Sequence, residues 1–205
     1  MNNQYIIDDS TIKFGRYPQS MKGDIKPIEW DILMKMDGKA LLISHYVLDA
    51  MSFDEKSNNY KNSSIRKWLN DTFYNIAFSD NEKRIIEITE VDNGSLSTRY
   101  QNNHYACSNT NDKIFLLSRH EATLYGIINF SKIHGLEDFK KAQGTYFAEG
   151  QGLSSFRCYC CWWLRSPSCT SSEHAMMVDF DGGMDYELDI KSKDCGVRPA
   201  MWIKL

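Results

Sequence analysis

Cys161-Trp162-Trp163-Leu164-Arg165-Ser166-Pro167 decides the reading of this chain. Three large apolar side chains stand beside a guanidinium, and a proline closes the run. In a strand, successive side chains point to opposite faces, so the two tryptophan rings enter two different layers. The same order of arginine, proline and apolar strand returns in Gly196-Val197-Arg198-Pro199-Ala200-Met201-Trp202-Ile203-Lys204-Leu205. Between the two lies a stretch of very different character. The apolar runs are expected to be scaffold, and the stretch between them the working surface.

Outward from this core, composition sets bounds. A chain of 205 residues with 13% aromatics points to one domain, 1–205, with a sizeable core of large side chains. The net charge of −3 carries no basic patch interleaved with aromatics, so nucleic acid is not expected as a partner. No run of about 18 apolar residues exists to insert into a membrane. Met1-Asn2-Asn3-Gln4-Tyr5 has neither a basic nor an apolar leader region, which leads to an expectation of a cytoplasmic protein, or one delivered on a phage particle or to a surface by another route. The six cysteines, Cys107, Cys158, Cys160, Cys161, Cys169 and Cys195, are accordingly expected as thiols.

The remaining segments read as alternating local signals. Thr11 to Gln19 is a strand that ends in a turn at Pro18. Ile28 to Met34 and Lys39 to Ser44 are paired strands, joined by the hairpin signal Asp37-Gly38. Ile65, Trp68, Leu69 and Phe73 lie on one face of a helix. Ser79-Asp80-Asn81-Glu82 is a capping box, predicting a second helix through Ile85, Ile86 and Ile88. Val91 to Asp112 reads as a long polar loop, and Lys113 to Leu117 as a short buried strand. Ser118-Arg119-His120-Glu121 is another capping box, opening a helix over Ala122, Leu124 and Tyr125 that stops near Gly126. A further helical stretch is predicted over Leu136 to Ala142, and Gly150-Gln151-Gly152 as a flexible break. The order is α+β, without a βαβ repeat.

Three groups of motifs carry a resemblance: Phe14-Gly15-Arg16-Tyr17-Pro18-Gln19 with Ile28-Glu29-Trp30; Ser63 to Asn70; and Trp162 to Pro167 with Gly196 to Leu205. They resemble a bacterial domain-of-unknown-function family marked by WWLRSP and GVRPA motifs. That family is similar to the C-type-lectin-like fold in the version shared with the formylglycine-generating enzyme. The resemblance implies an α+β domain of mixed antiparallel sheets with packed helices, whose C-terminal region, about 154–195, faces a ligand. It also resembles the variable proteins of diversity-generating retroelements, in which fixed strands hold positions mutated at adenines. Here scaffold strings alternate with the clusters Ser154 to Cys161, Ser168 to His174 and Met184 to Glu187. Cys, Ser, Tyr, Arg, His, Asp, Phe and Gly are among the residues reached when adenines of an asparagine codon are replaced.

Cys158-Tyr159-Cys160-Cys161 holds one C-x-x-C, with Cys169, His174 and Cys195 as scattered partners. A structural zinc site usually has two regular pairs, so no metal is expected. On a strand, Cys158 and Cys160 share a face and Cys161 takes the other. The formylglycine-generating enzyme works through two cysteines spaced C-x-x-x-x-C, which this chain lacks in the matching region. Ser166, His174 and Asp179 form a triad only on paper, without a nucleophile-elbow pattern. Asp179, Asp181 and Asp185 flank Gly182-Gly183, which reads as a hairpin turn rather than a calcium loop. Arg165 and Arg198, with Trp162, Trp163 and Trp202, are expected to be structural. Ligand contacts are expected from Ser155, Arg157, Tyr159, Cys160, Ser168, Thr170, Ser172, His174, Asp181, Met184, Asp185, Tyr186 and Glu187. The expected function is non-catalytic recognition of a protein or glycan, without cofactor. Two alternatives stand beside it: a cysteine/copper oxidase similar to the formylglycine-generating enzyme, and a cytosolic scaffold module without a diversified surface.

Overall fold

The computed structural model describes residues 11–98, 100–128, 140–184 and 186–205. Its strands are β1 (Thr11–Pro18), β2 (Ile25–Met36), β3 (Lys39–Ser44), β4 (Asp49–Ala50), β5 (Thr89–Val91), β6 (Thr110–Asp112), β7 (Ser155–Phe156), β8 (Tyr159–Cys160), β9 (Trp162–Pro167), β10 (His174–Val178), β11 (Tyr186–Asp189), β12 (Gly196–Val197) and β13 (Ala200–Lys204). Helical segments are α1 (Ser64–Trp68), α2 (Tyr74–Ala77), α3 (Asp80–Lys83), α4 (Arg119–Ile128) and α5 (Tyr146–Gly150). A four-stranded sheet has the order β1-β2-β3-β13, and a five-stranded sheet the order β11-β10-β9-β12-β4. The pairs within them are antiparallel except β9 with β12. The architecture is mixed α+β with curled antiparallel sheets and few helices.

The two tryptophans enter two layers, as the alternation predicts. Trp163 lies in one buried cluster with Phe14, Trp30, Phe53 and Phe73. Trp162 lies in a second with Leu41, Ile43, Val47 and Phe115. Each indole N–H is satisfied: Trp163 donates to the Met51 carbonyl and Trp162 to the Lys140 carbonyl, both at 2.8 Å. All six residues of β9 are buried, because layers cover both its faces. Trp202 of β13 is only half-buried.

The β2–β3 hairpin forms where Asp37-Gly38 predicts it, with both residues at positive φ, 51° and 70°. The 65–73 helix also forms, but Leu69–Phe73 takes π-helical hydrogen bonding between α1 and α2. The Ser79 capping box closes as expected, yet α3 ends at Lys83. Ile86 instead bridges Ile203, with Glu87 donating to the Trp202 carbonyl at 2.9 Å and Lys204 to that of Ile85 at 2.8 Å. The edge of β13 offers backbone partners, and β-branched isoleucines take them in preference to more helix.

Val91 to Asp112 is not a free loop. Its ends pair as β5 and β6, and its polar side chains turn inward to serve the end of β9. Asn103 donates to the Pro167 carbonyl at 3.2 Å, and Ser166 donates to the Ser97 carbonyl at 2.9 Å. Lys113 to Leu117 makes a single bridge, Phe115 with Ala200, and no strand of its own. The Ser118–Glu121 capping box is made, and α4 continues past Gly126 to Ile128. Of the predicted 136–142 helix, 136–139 lie outside the described residues. Lys140 to Ala142 is not helical, because Ala142 bridges Cys160. Helix α5, capped by the Thr145 hydroxyl, runs through Gly150, so only 151–152 of the expected break at 150–152 lie beyond it.

Candidate recognition face

Immediately before β9 the chain makes a hairpin, β7–β8, with Ser155 opposite Cys160 and Phe156 opposite Tyr159. Arg157 and Cys158 form its two-residue turn, at φ 51° and 72°. This is the backbone that Asn-Gly normally supplies, so two ordinary side chains here carry left-handed strain. The Arg157 guanidinium sits 5.3 Å from the Phe156 ring centre, a cation–π contact that offsets part of it.

The turn corrects the expected cysteine alternation. Cys158 is exposed at the tip, off the strand that holds Cys160. Cys160 points inward and packs in the Trp162 cluster. Its amide donates to the Ala142 carbonyl at 2.8 Å, and burial pushes its thiol up to about 11. Cys160 is therefore not a ligand contact. Its sulfur also lies 3.2 Å from where a β-carbon on Gly144 would stand, which keeps that position small.

The 168–174 loop is held from within. Ser168, expected at the ligand face, is fully buried. Its hydroxyl donates to Glu187 at 2.7 Å and accepts from the amides of Thr170 and Ser171 at 3.0 and 3.3 Å. It organises the loop because a short hydroxyl under a turn satisfies several neighbouring polar groups at once. The buried Asn58 amide pins the same loop through the carbonyls of Ser171 and His174, both at 2.9 Å. Thr170 and Ser172 stay exposed, and His174 is half-buried.

The turn between β10 and β11 closes as a hairpin. Gly182 donates to the Asp179 carbonyl at 2.9 Å, and Gly183 to the Asp181 carboxylate at 2.7 Å. Asp181 thus spends an oxygen on its own turn, in line with the turn reading of this aspartate-glycine stretch. Asp185 lies outside the described residues. Beyond it, Tyr186 and Glu187 are exposed on β11, the edge strand, while Met184 is half-buried against the Trp162 cluster.

These segments touch. Phe156 and Phe180 meet at 6.3 Å between ring centres, and Ser168 and Thr170 both reach Glu187. Ser155, Arg157, Thr170, Ser172, Asp181, Tyr186 and Glu187 are exposed, and Tyr159 is half-buried. Beside the hairpin opens a cleft of about 560 Å³, lined by Ser155 and Cys158 and by Tyr46, Gln143, Tyr146 and Glu149. The last four carried no sequence signal, because only the α5 cap and the Val47–Gly144 bridge bring them there. A second cleft, about 490 Å³, holds Lys61, Arg66, Lys67 and Lys113. Lys61, Arg66 and Lys113 are already engaged, with Ser108, Asp112 and the Tyr74 ring respectively.

The two scaffold arginines are buried. Arg165 donates to the carbonyls of Leu116 and Asp92 at 2.8 and 2.9 Å and grips the Glu121 carboxylate through both terminal nitrogens. Arg198 donates to the Ser44 carbonyl at 2.8 Å, reaches Asp31 at 3.4 Å and lies 5.2 Å over the Trp162 ring centre. Each ties loops to a strand, as expected of structural guanidinium groups. The paper triad does not assemble. Ser166 is buried on Ser97 and Arg119, and β10 separates His174 from Asp179. Among the described residues, no three His, Cys, Asp or Glu side chains converge as a metal set. No helix among them is long and apolar enough to cross a membrane.

The molecule is thus an α+β domain with a buried aromatic frame and exposed segments flanking strands β9, β10 and β11. The family model of the domain of unknown function DUF6273 matches residues 37–205, and the chain belongs to that family. Strands β1 and β2 lie before the matched region yet share a sheet with β3 and β13. No curated protein and no solved structure matches the chain.

Proposed function

We propose that this chain is a non-catalytic recognition domain on the C-type-lectin-like plan of the formylglycine-generating-enzyme type. It serves as the variable protein of a diversity-generating retroelement and acts in the cytoplasm or on a phage particle or surface. Its target is a protein or glycan, met by the exposed side chains of 155–159, 170–174 and 181–187 and by the adjoining cleft. One observation carries the reading. The scaffold runs 162–167 and 196–201 are buried throughout, while the described residues of the odd clusters, Cys160, Cys161 and Ser168 apart, lie at or near the surface. Such a partition lets contact residues change without loss of the fold. The oxidase alternative is less well supported, because the two cysteines that meet in space, Cys161 and Cys195, are both buried and lack the C-x-x-x-x-C spacing.

The test is genetic. The 3′ end of the gene is compared with its flanking DNA and with a nearby reverse transcriptase gene. The expected finding is an imperfect repeat that differs only at adenines, in codons for exposed positions such as Arg157, Ser172 and Tyr186. Differences spread equally over Trp162 to Ser166, or no repeat at all, would sink the retroelement reading.

A further inference from the structure

Cys161 and Cys195 stand at the two ends of residues 162–194, and the five-stranded sheet brings them together. Gly196 pairs in parallel with Trp162, and the Gly196 amide donates to the Cys161 carbonyl at 3.0 Å. The cysteines lie one position back on each side of that pair. Neighbouring strands run about 4.8 Å apart, with matched residues on one face. That spacing falls inside the Cα separation of about 4.4–6.8 Å at which a disulfide closes. Both side chains enter the same buried cluster, with Cys161 4% and Cys195 0% exposed. The Cys161 sulfur reaches the Asp194 carbonyl at 3.9 Å, the Cys195 thiol beside it lowers the Cys161 thiol from its ordinary range, and burial holds Cys195 well above it.

We propose that Cys161 and Cys195 form a reversible disulfide, a redox-controlled staple that closes residues 162–194 into a covalent ring carrying β9, β10, β11 and their loops. The oxidant is a low-molecular-weight disulfide of the glutathione class. The Cys161 thiolate attacks one of its sulfurs, the small S–S bond breaks, and one small thiolate leaves. Cys195 loses its proton to water and attacks the Cys161 sulfur of the mixed disulfide, expelling the second small thiolate. Two electrons pass to the small disulfide, and the two cysteine protons end on the two small thiols. β12 is only two residues long, so a local opening there is the natural route for the oxidant. The proposal stands whether or not the exposed loops bind a ligand.

The experiment uses the full chain with Cys107, Cys158 and Cys169 changed to Ser, which removes the thiols that are not buried. It is equilibrated with oxidised and reduced glutathione in varied ratio, acid-quenched, denatured, alkylated and digested. The expected result is a linked peptide pair containing Cys161 and Cys195, and a melting temperature roughly 5–10 °C above that of the reduced chain. Cys195→Ser abolishes both. Complete alkylation of Cys161 and Cys195 at the most oxidising ratio overturns the proposal, as does a bond from either to Cys160. Should Cys195→Ser fail to fold, peptide mapping of the chain that keeps both cysteines decides between these outcomes.

Discussion

The hairpin β7–β8 ends at Cys160 and β9 begins two positions on, yet the two segments obey different physics. In β9 every side chain is buried, each indole has a partner, and Arg165 joins two loops and helix α4. In the hairpin, Phe156 is 59% exposed and the turn residues bear left-handed backbone. Packing of β9 is over-determined, so any change leaves a void or an unpaired polar group. The hairpin has only one inward side chain, Cys160, to fix it. A surface can be rewritten beside a core provided the inward positions stay constant.

The sharpest challenge to that contrast is removal of Arg165. Arg165→Ala leaves Glu121 and two backbone carbonyls without their buried partner, and is expected to cost about 3–5 kcal/mol in urea unfolding. Trp163→Ala vacates a fully buried site and is expected to cost about 3–5 kcal/mol by the same measurement. If either costs under about 1 kcal/mol, the frame is not what holds the fold. Gly196→Ala comes next, at about 1–3 kcal/mol, because a β-carbon would stand 2.2 Å from Val47 Cγ1 and 2.9 Å from the Cys161 carbonyl.

Alkali sharpens the same point. Burial raises the hydroxyls of Tyr17 and Tyr60 well above the ordinary tyrosine range, and lifts Tyr125 to about 12. Tyr17 also donates to Asp49 at 2.6 Å. Their neutral forms stabilise the fold fully below pH about 10, where unfolded tyrosine is protonated as well. As pH rises from about 10 towards 12, the unfolded chain loses these protons first and stability falls. Denaturant midpoints followed with tyrosinate absorbance are expected to decline together there; a flat midpoint contradicts the burial of these rings.

At the small end, the sign reverses in the hairpin. Arg157→Asn with Cys158→Gly supplies residues that accept positive φ and is expected to stabilise by about 1 kcal/mol. Thr170→Ala and Ser172→Ala are expected to stay within about 0.5 kcal/mol of the parent.

Part of this architecture is legible in the sequence. The split of Trp162 and Trp163 between layers, the Asp37-Gly38 turn and both capping boxes follow from residues a few positions apart. What escapes a sequence reading depends on distant partners. Ile86 leaves its helix because β13 offers an edge, and Cys160 turns inward because Ala142 and Gly144 receive it. Arg157-Cys158 is a turn without turn residues, so nothing local breaks the strand alternation expected of the cysteines. The cleft beside the hairpin and the meeting of Cys161 with Cys195 need the sheet order itself.

Saturation mutagenesis over residues 154–201, with selection for protease-resistant folded chain, tests the division directly. The expected map is broad tolerance at Ser155, Arg157, Tyr159, Thr170, Ser172, Asp181 and Tyr186, with narrow tolerance at 162–166 and 196–201 and at Cys160 and Ser168. Equal restriction at the exposed and buried positions would contradict it.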